Sequence, residues 1–338
     1  MDIHPLYDES EWRETAAHCA YATFFQTPEW FTAFQTGDPG WRKEVLTFSF
    51  ADGATAIFPF LSRRVSRTSH LMCSGPAGVY GGWVAKTSLQ PDQQRQIVDY
   101  LIARYPSLVW RFNPYAGLQL DPRWRLRPDH TSVLDLELGF ESVSKKWSEN
   151  HRRSVNKARN HGVEVRRASS IADWQRYFCC YQDSLHRWGD KASSRYRWEL
   201  FSAIARLSEQ SVSLWLAEKE RHLQAGAICF SYNRHTVYWH GAAYKEAFPY
   251  RPVHLLMQEI IRNACNRDDK WFDFNPSGGH EGVERFKKGF GVQPLNAPLL
   301  DTRRLTMRQR ILFGIRARLS CKWFRSKVRE TREAPDVD

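Results

Sequence analysis

No stretch of this chain is apolar for long enough to cross a bilayer; its apolar runs are as short as Ala227-Ile228-Cys229-Phe230. The opening Met1-Asp2-Ile3-His4-Pro5 lacks a basic region followed by an apolar stretch, so no signal peptide is expected. The 7 cysteines never fall at C-x-x-C spacing, and Cys179 and Cys180 are adjacent. That usage argues against a zinc ribbon or a disulfide framework and for a reduced, cytoplasmic protein. The His, Cys and carboxylate residues show no metal-ligand spacing, so no metal is expected. Without a Gly-x-Ser-x-Gly elbow, a serine-hydrolase reading has little support. Ser277-Gly278-Gly279-His280-Glu281-Gly282 lacks both Gly-x-Gly-x-x-Gly and a Gly-Lys-Ser/Thr ending, and reads as a flexible connection rather than a nucleotide loop.

Positive charge is in excess: 49 Lys and Arg against 37 Asp and Glu, a net +12 over 338 residues. The surplus is clustered, which favours polyanionic partners: tRNA, nucleotide-linked sugars, coenzyme A or an anionic membrane face. A non-catalytic nucleic-acid-binding protein fits the charge, but no helix-turn-helix, zinc-finger or RNA-recognition signature accompanies it. The length suffices for two domains, and a hydrophobic content of 42% supplies two cores.

Thr27-Pro28-Glu29 reads as a helix start that buries Trp30, Phe31 and Phe34. Lys43–Phe50 and Ala54–Leu61 read as strands joined at Asp52-Gly53. A helix over Pro91–Tyr105 and a strand over Leu108–Phe112 follow. The second half repeats this order. Strands are expected at Val212–Glu218, Ala225–Tyr232 and Val237–Ala243, then a helix from Pro252 to about Cys265, then a strand at Trp271–Phe274. Each half carries Phe-Asn-Pro-x-x-Gly after its last strand, at Phe112–Gly117 and Phe274–Gly279, which argues for duplication. Between the halves, Val143–Gly162 reads as one basic helix ending at Gly162. Beyond Leu300 the chain holds 11 Lys/Arg and 5 Asp/Glu, with Leu305, Leu312, Leu319 and Trp323 at the spacing of one helical face. These features divide the chain into 1–140, a basic helix at 141–162, 163–300, and a basic amphipathic tail at 301–338.

Several of these stretches together resemble the Fem-type acyltransferases of GNAT fold. Phe24–Trp30 is similar to their opening helix, and Arg153–Val163 to their basic interdomain helix leading into a strand. Tyr238–Tyr244 resembles the central strand of their second domain. Phe272-Asp273-Phe274, followed by Phe286-Lys287-Lys288-Gly289-Phe290-Gly291, resembles its closing signature. The resemblance implies an α/β (α+β) chain of two GNAT-like domains, each a mixed, mainly antiparallel sheet flanked by helices. It also implies acyl or aminoacyl transfer to an amine of an envelope or polysaccharide precursor. The donor would be a co-substrate, aminoacyl-tRNA or an acyl-CoA or other thioester, with no tightly bound cofactor. Two family features are missing: the coiled-coil arms of some members, and the Gly-rich pyrophosphate loop, replaced here by Tyr244–Pro252. The latter counts against ordinary acetyl-CoA binding.

Amine acylation needs positioning and stabilisation of a developing oxyanion more than it needs a covalent nucleophile. The resemblance places Lys287 near donor and acceptor as that cation; its alternative is a surface lysine. Asp273, between two Phe residues on a strand, reads either as a proton acceptor or as a buried structural acceptor. His240 reads as a base, a substrate ligand or a packed histidine. Tyr80, Tyr244 and Asn275 are candidate substrate contacts, and Tyr80 is equally a packing ring between domains. Arg251 and Arg152 are candidate phosphate ligands or solvated helix-end cations. The tail over 301–332 reads as an amphipathic helix for an anionic inner membrane face, for RNA, or for its own domain.

Overall fold

The computed structural model describes residues 1–6, 8–67, 69–192, 195–308, 311–313 and 315. Five strands precede the first half's repeat turn: β1 (Asp2–Pro5), β2 (Arg42–Ser49), β3 (Thr55–Arg64), β4 (His70–Ser74) and β5 (Leu108–Arg111). Next come β6 (His130–Asp135), β7 (Val163–Arg167), β8 (Val212–Lys219), β9 (His222–Tyr232) and β10 (His235–Ala243). The last three are β11 (Trp271–Asp273), β12 (Gln293–Asn296) and β13 (Leu299–Asp301).

They form two sheets, ordered β1-β2-β3-β4-β5-β13 and β12-β6-β11-β10-β9-β8-β7. In each sheet an antiparallel meander ends in one parallel pair, β4 with β5 and β10 with β11. Parallel neighbours need a crossover. It is supplied by the helices that open at Pro91 and Pro252. The two Phe-Asn-Pro turns follow β5 and β11, which hold the same place in their sheets. The next strand in each sheet comes from the other half of the chain. β6 pairs antiparallel with β11, and β13 pairs antiparallel with β5. The halves thus exchange a strand across the limits at 140 and 300 drawn from sequence.

Nine helices are described: α1 (Glu9–Ala17), α2 (Pro28–Gly37), α3 (Pro91–Arg104), α4 (Gly139–Lys145), α5 (Glu149–Asn160), α6 (Ile171–Trp188), α7 (Trp198–Ala205), α8 (Pro252–Asn266) and α9 (Glu281–Lys288). The single basic helix expected over Val143–Gly162 is two. Ser148 interrupts it because its side chain accepts the His151 N–H, capping α5 better than a continued helix would.

The apolar faces produce three cores. α3 covers the outer face of the first sheet, where Ile97, Leu101 and Trp110 are buried. α5 and α8 cover the outer face of the second, over Val155, Leu256 and Phe272. The third core lies between the halves. Phe24 stacks on Phe230, and Phe25 and Trp30 meet it edge-on, at centroid distances of 4.9, 5.4 and 5.0 Å. Each such ring, fully buried, is worth roughly 1.5–3 kcal/mol, so the halves are held by a hydrophobic core rather than by a linker.

The tail departs from its heptad reading. Leu305 and Phe313 are buried in the α3 core, whereas Leu312 is 47% exposed. Leu305 and Leu312 therefore do not share one face. Leu319 and Trp323 lie outside the described residues.

Candidate active site

The β10–β11 ladder stops at Val237 opposite Asp273, although β10 runs on to Ala243. Past Asp273 the chain turns away through Asn275, whose φ of 60° is left-handed, a region asparagine tolerates better than most residues. The strands part at this point, and Asp273, Asn275 and Lys287 meet there.

Asp273 is wholly buried. It accepts hydrogen bonds from the Tyr80 and Tyr115 hydroxyls, both at 2.8 Å, from Thr131 Oγ1 at 2.5 Å and from the Asn275 N–H at 2.7 Å. Burial raises its pKa, and the donors oppose that shift. Tyr80 and Tyr115 come from the loops beside the first sheet, and Thr131 and Asp273 from adjacent strands of the second. One carboxylate thus ties the halves together. Both phenols are pushed well above their ordinary pKa by burial first and by the Asp273 charge second, so they remain donors.

Lys287 is 2% exposed, and its Nζ donates to the Asn275 carbonyl at 2.5 Å. Burial lowers its pKa to about 8, while the charges of Asp273, Asp129 and Glu284 hold it up. Its neighbour Lys288 points outward and pairs with Glu284 at 2.8 Å. The rest of Phe-Lys-Lys-Gly-Phe-Gly fixes this direction. Phe286 and Phe290 pack on His151, at 5.5 and 4.5 Å. A Cβ at Gly289 would lie 2.0 Å from the His151 ring, and Gly291 has a φ of 74°. His151 Nε2 donates to the Phe286 carbonyl at 2.9 Å, docking α9 onto α5.

Two polar groups here have no protein partner among the described residues: Asn275 Oδ1 and Arg111 Nε. Arg111 pairs with Asp129 at 2.5 Å through Nη1. It occupies in β5 the place Asp273 occupies in β11, so the duplicated position carries opposite charges. Sequence reasoning missed Tyr115, Thr131, Arg111 and Asp129. Aligning the two Phe-Asn-Pro turns would have exposed Arg111 and Tyr115; nothing local marks Thr131 or Asp129.

The other candidates lie apart. His240 sits in an aromatic cage with Nδ1 2.6 Å from the Tyr177 hydroxyl and its ring 4.6 Å from that of Tyr181. Burial lowers its pKa to about 3, which leaves it neutral and a weak base. Tyr244, half-buried just past β10, faces the same α6 side, where burial raises its pKa. Arg251 is exposed with a left-handed φ of 58°, immediately before Pro252 opens α8. Arg152 is exposed near the start of α5. No hydrogen bond or ion pair joins these four to Lys287 or Asp273 among the described residues. Of the sequence candidates, the structure brings together Lys287, Asp273, Asn275 and Tyr80.

Residues 145–288 match the family model of the acetyltransferase (GNAT) domain. Comparison with curated proteins finds no match. Among solved structures, the chain is similar to FemX (TM-score 0.64, 12% identity, covering 88% of this chain and 97% of that one). It is also similar to the C-terminal domain of a protein described as a lysylphosphatidylglycerol synthetase from Agrobacterium fabrum (0.57, 13%, 91% and 96%). A tandem GNAT protein from the clavulanic acid pathway is a third (0.53, 8%, 89% and 98%). The shared feature is the fold of two GNAT-like halves.

Proposed function

We propose that the chain is an acyltransferase of the GNAT fold, built on the two-domain Fem-type plan, and that it transfers an acyl or aminoacyl group to an amine of an envelope or polysaccharide precursor. The carrying observation is Lys287, a buried lysine of pKa about 8 held against Asn275 where β10 and β11 part. FemX and a lysylphosphatidylglycerol synthetase among the similar folds support an envelope or lipid-linked acceptor.

The amine attacks the donor carbonyl, and negative charge gathers on its oxygen; as the C–N bond is kept, the bond to the tRNA ribose oxygen or the thioester sulfur breaks, and the amine proton departs with that leaving group. Lys287, cationic below pH 8, stabilises that charge from a site where little water screens it. Asp273 acts through position: its four donors occupy its oxygens, and it sets the Asn275 turn that orients Lys287. The unpartnered Asn275 Oδ1 accepts a hydrogen bond from the incoming amine. Arg251, at the opening of α8, and Tyr244 hold the donor's polar end. The donor is aminoacyl-tRNA or an acyl thioester; the Tyr244–Pro252 segment, without pyrophosphate glycines, favours the former. The protein works in the cytoplasm, and its basic tail meets the inner membrane face. Among the described residues, no helix is long and apolar enough to span a membrane.

The test is transfer of labelled amino acid from charged tRNA, and of labelled acetyl from acetyl-CoA, to amine-bearing nucleotide-sugar and lipid-linked acceptors. Lys287→Ala is expected to cut turnover by about 10²–10³, the usual cost of one oxyanion donor, with Lys288→Ala as the unaffected control. Equal turnover in the two variants removes Lys287 from the mechanism.

A further inference from the structure

On the outer face of the second sheet, away from Lys287, α4, α5 and α8 enclose an open cavity of about 490 Å³. That volume is in the range of small-molecule sites. Its polar lining is Ser144, Lys145, Arg152, Asn156 and Gln258, with Trp147 beside them. The only charges in the lining are the two cations, and neither is in an ion pair among the described residues. Surface cations without acid partners are common, so charge alone would decide nothing.

Two further observations single out this cavity. Arg152 is fixed: its Nη1 donates to the Trp147 carbonyl and to that of Lys145 at 3.4 Å. The α4–α5 connection thereby holds the guanidinium in place, which lowers the entropy lost when its remaining N–H groups meet a ligand. Trp147 is 3% exposed, and its indole N–H is buried without an acceptor. A desolvated donor of this kind costs about 1–3 kcal/mol when unpaired. One fixed cation, Arg152, a second beside it, Lys145, and an unanswered N–H in the wall call for a ligand rich in acceptor oxygens and negatively charged.

We propose that this cavity binds a phosphate-bearing small molecule, with Lys145 and Arg152 on the phosphate and Asn156 and Gln258 on the group it carries. A phosphate suits both cations: it accepts a forked pair from Arg152 and a point charge from Lys145. The site is separate from the transfer centre and does not depend on the reading of Lys287. Its wall nevertheless reaches α9, because the Trp147 ring lies 5.1 Å from that of Phe290, which contacts Phe286 beside Lys287.

The probes are inorganic pyrophosphate and uridine 5′-diphosphate, titrated calorimetrically into the full chain. The Trp147 indole cross-peak, assigned by its loss in Trp147→Phe, is followed in parallel. Saturable binding of either probe is expected, with movement of that cross-peak. Lys145→Glu, which leaves the Arg152 backbone contacts in place, should weaken binding by about tenfold or more. Lys157→Glu, the same charge change on α5 outside the cavity, should bind like the wild type. Lys287→Ala should also bind normally, so failure here is distinguishable from failure of the transfer reading. Pyrophosphate binding alone identifies a bare phosphate subsite; tighter binding of the nucleotide shows that the amides read its remainder. The proposal is overturned if neither probe saturates, if Lys145→Glu binds as well as wild type, if Lys157→Glu loses as much, or if only an oligonucleotide binds.

Discussion

Lys287 is kept in a place that costs stability. Folding lowers its pKa from the ordinary 10.5 to about 8. Between those values the unfolded chain binds more protons than the folded one, so stability rises with pH across this window. Below pH 8 the charged lysine opposes folding by up to about 3 kcal/mol. Lys287→Met is therefore expected to be more stable than wild type at pH 7, with the difference shrinking as pH passes 8. Urea melts at pH 7 and pH 9.5 check this, and an equal or lower midpoint for the variant at pH 7 contradicts it. Activity should run the other way. If Lys287 acts as a cation, turnover falls as pH rises through about 8, and Lys287→Arg removes that limb. Asp273 differs in kind. Asp273→Asn puts an NH2 where two donors point, and should cost about 3–5 kcal/mol, as breaking buried charged networks does. Tyr115→Phe removes one bond to a charged group and should cost about 1.5–3 kcal/mol. A near-zero loss in either variant would mean that the clasp between halves is not formed in solution.

At the scale of elements, the closing signature is a packing device for one lysine. Gly289 admits the His151 ring, so Gly289→Ala must push α9 from α5. Overpacking of this sort costs about 1–3 kcal/mol. The expected result is a lower melting temperature together with a Lys287 whose pKa moves back towards 10.5, read from the pH–rate profile. A melting loss without that return would uncouple the glycine from the lysine. Much of this was legible beforehand. The Pro28, Pro91 and Pro252 helix starts and the two meanders follow from local rules, because proline at the first turn and alternation in strands need no tertiary context. The break at Ser148 was not: six cations between Val143 and Gly162 outweighed one serine, and the capping geometry decided. The strand exchange was not legible either. β6 and β13 read as strands of whichever half they adjoin, and only the finished sheets say where each hydrogen-bonds. Of the readings given for His240, the α6 cage fits the packed histidine, and the bulge in β10 between Tyr238 and His240, which turns the ring there, has no local signal.

For the whole molecule, the symmetry of the two sheets ends at the tail, where the charge is most one-sided. The first turns past Asp301 belong to the globule, since Leu305 and Phe313 fill the core under α3. Ile311, Leu312 and Ile315 are about half exposed on the other side, at 53%, 47% and 49%. From Gly314 to Arg329 the sequence then holds six Lys/Arg and no Asp/Glu. Near an anionic leaflet each such cation adds roughly 1 kcal/mol at low salt, and exposed apolar side chains add to this if they enter the interface. Cutting the chain at Leu300 would confuse two effects, because it strips Leu305 and Phe313 from a core as well as removing charge. A chain ending at Phe313 keeps the core and loses the cations. The full chain should sediment with phosphatidylglycerol vesicles at low salt, release as salt rises, and ignore phosphatidylcholine vesicles. The shortened chain should stay in solution while keeping its melting temperature. If both sediment alike, the charge that binds lipid lies elsewhere on the surface, and the tail is not the membrane contact.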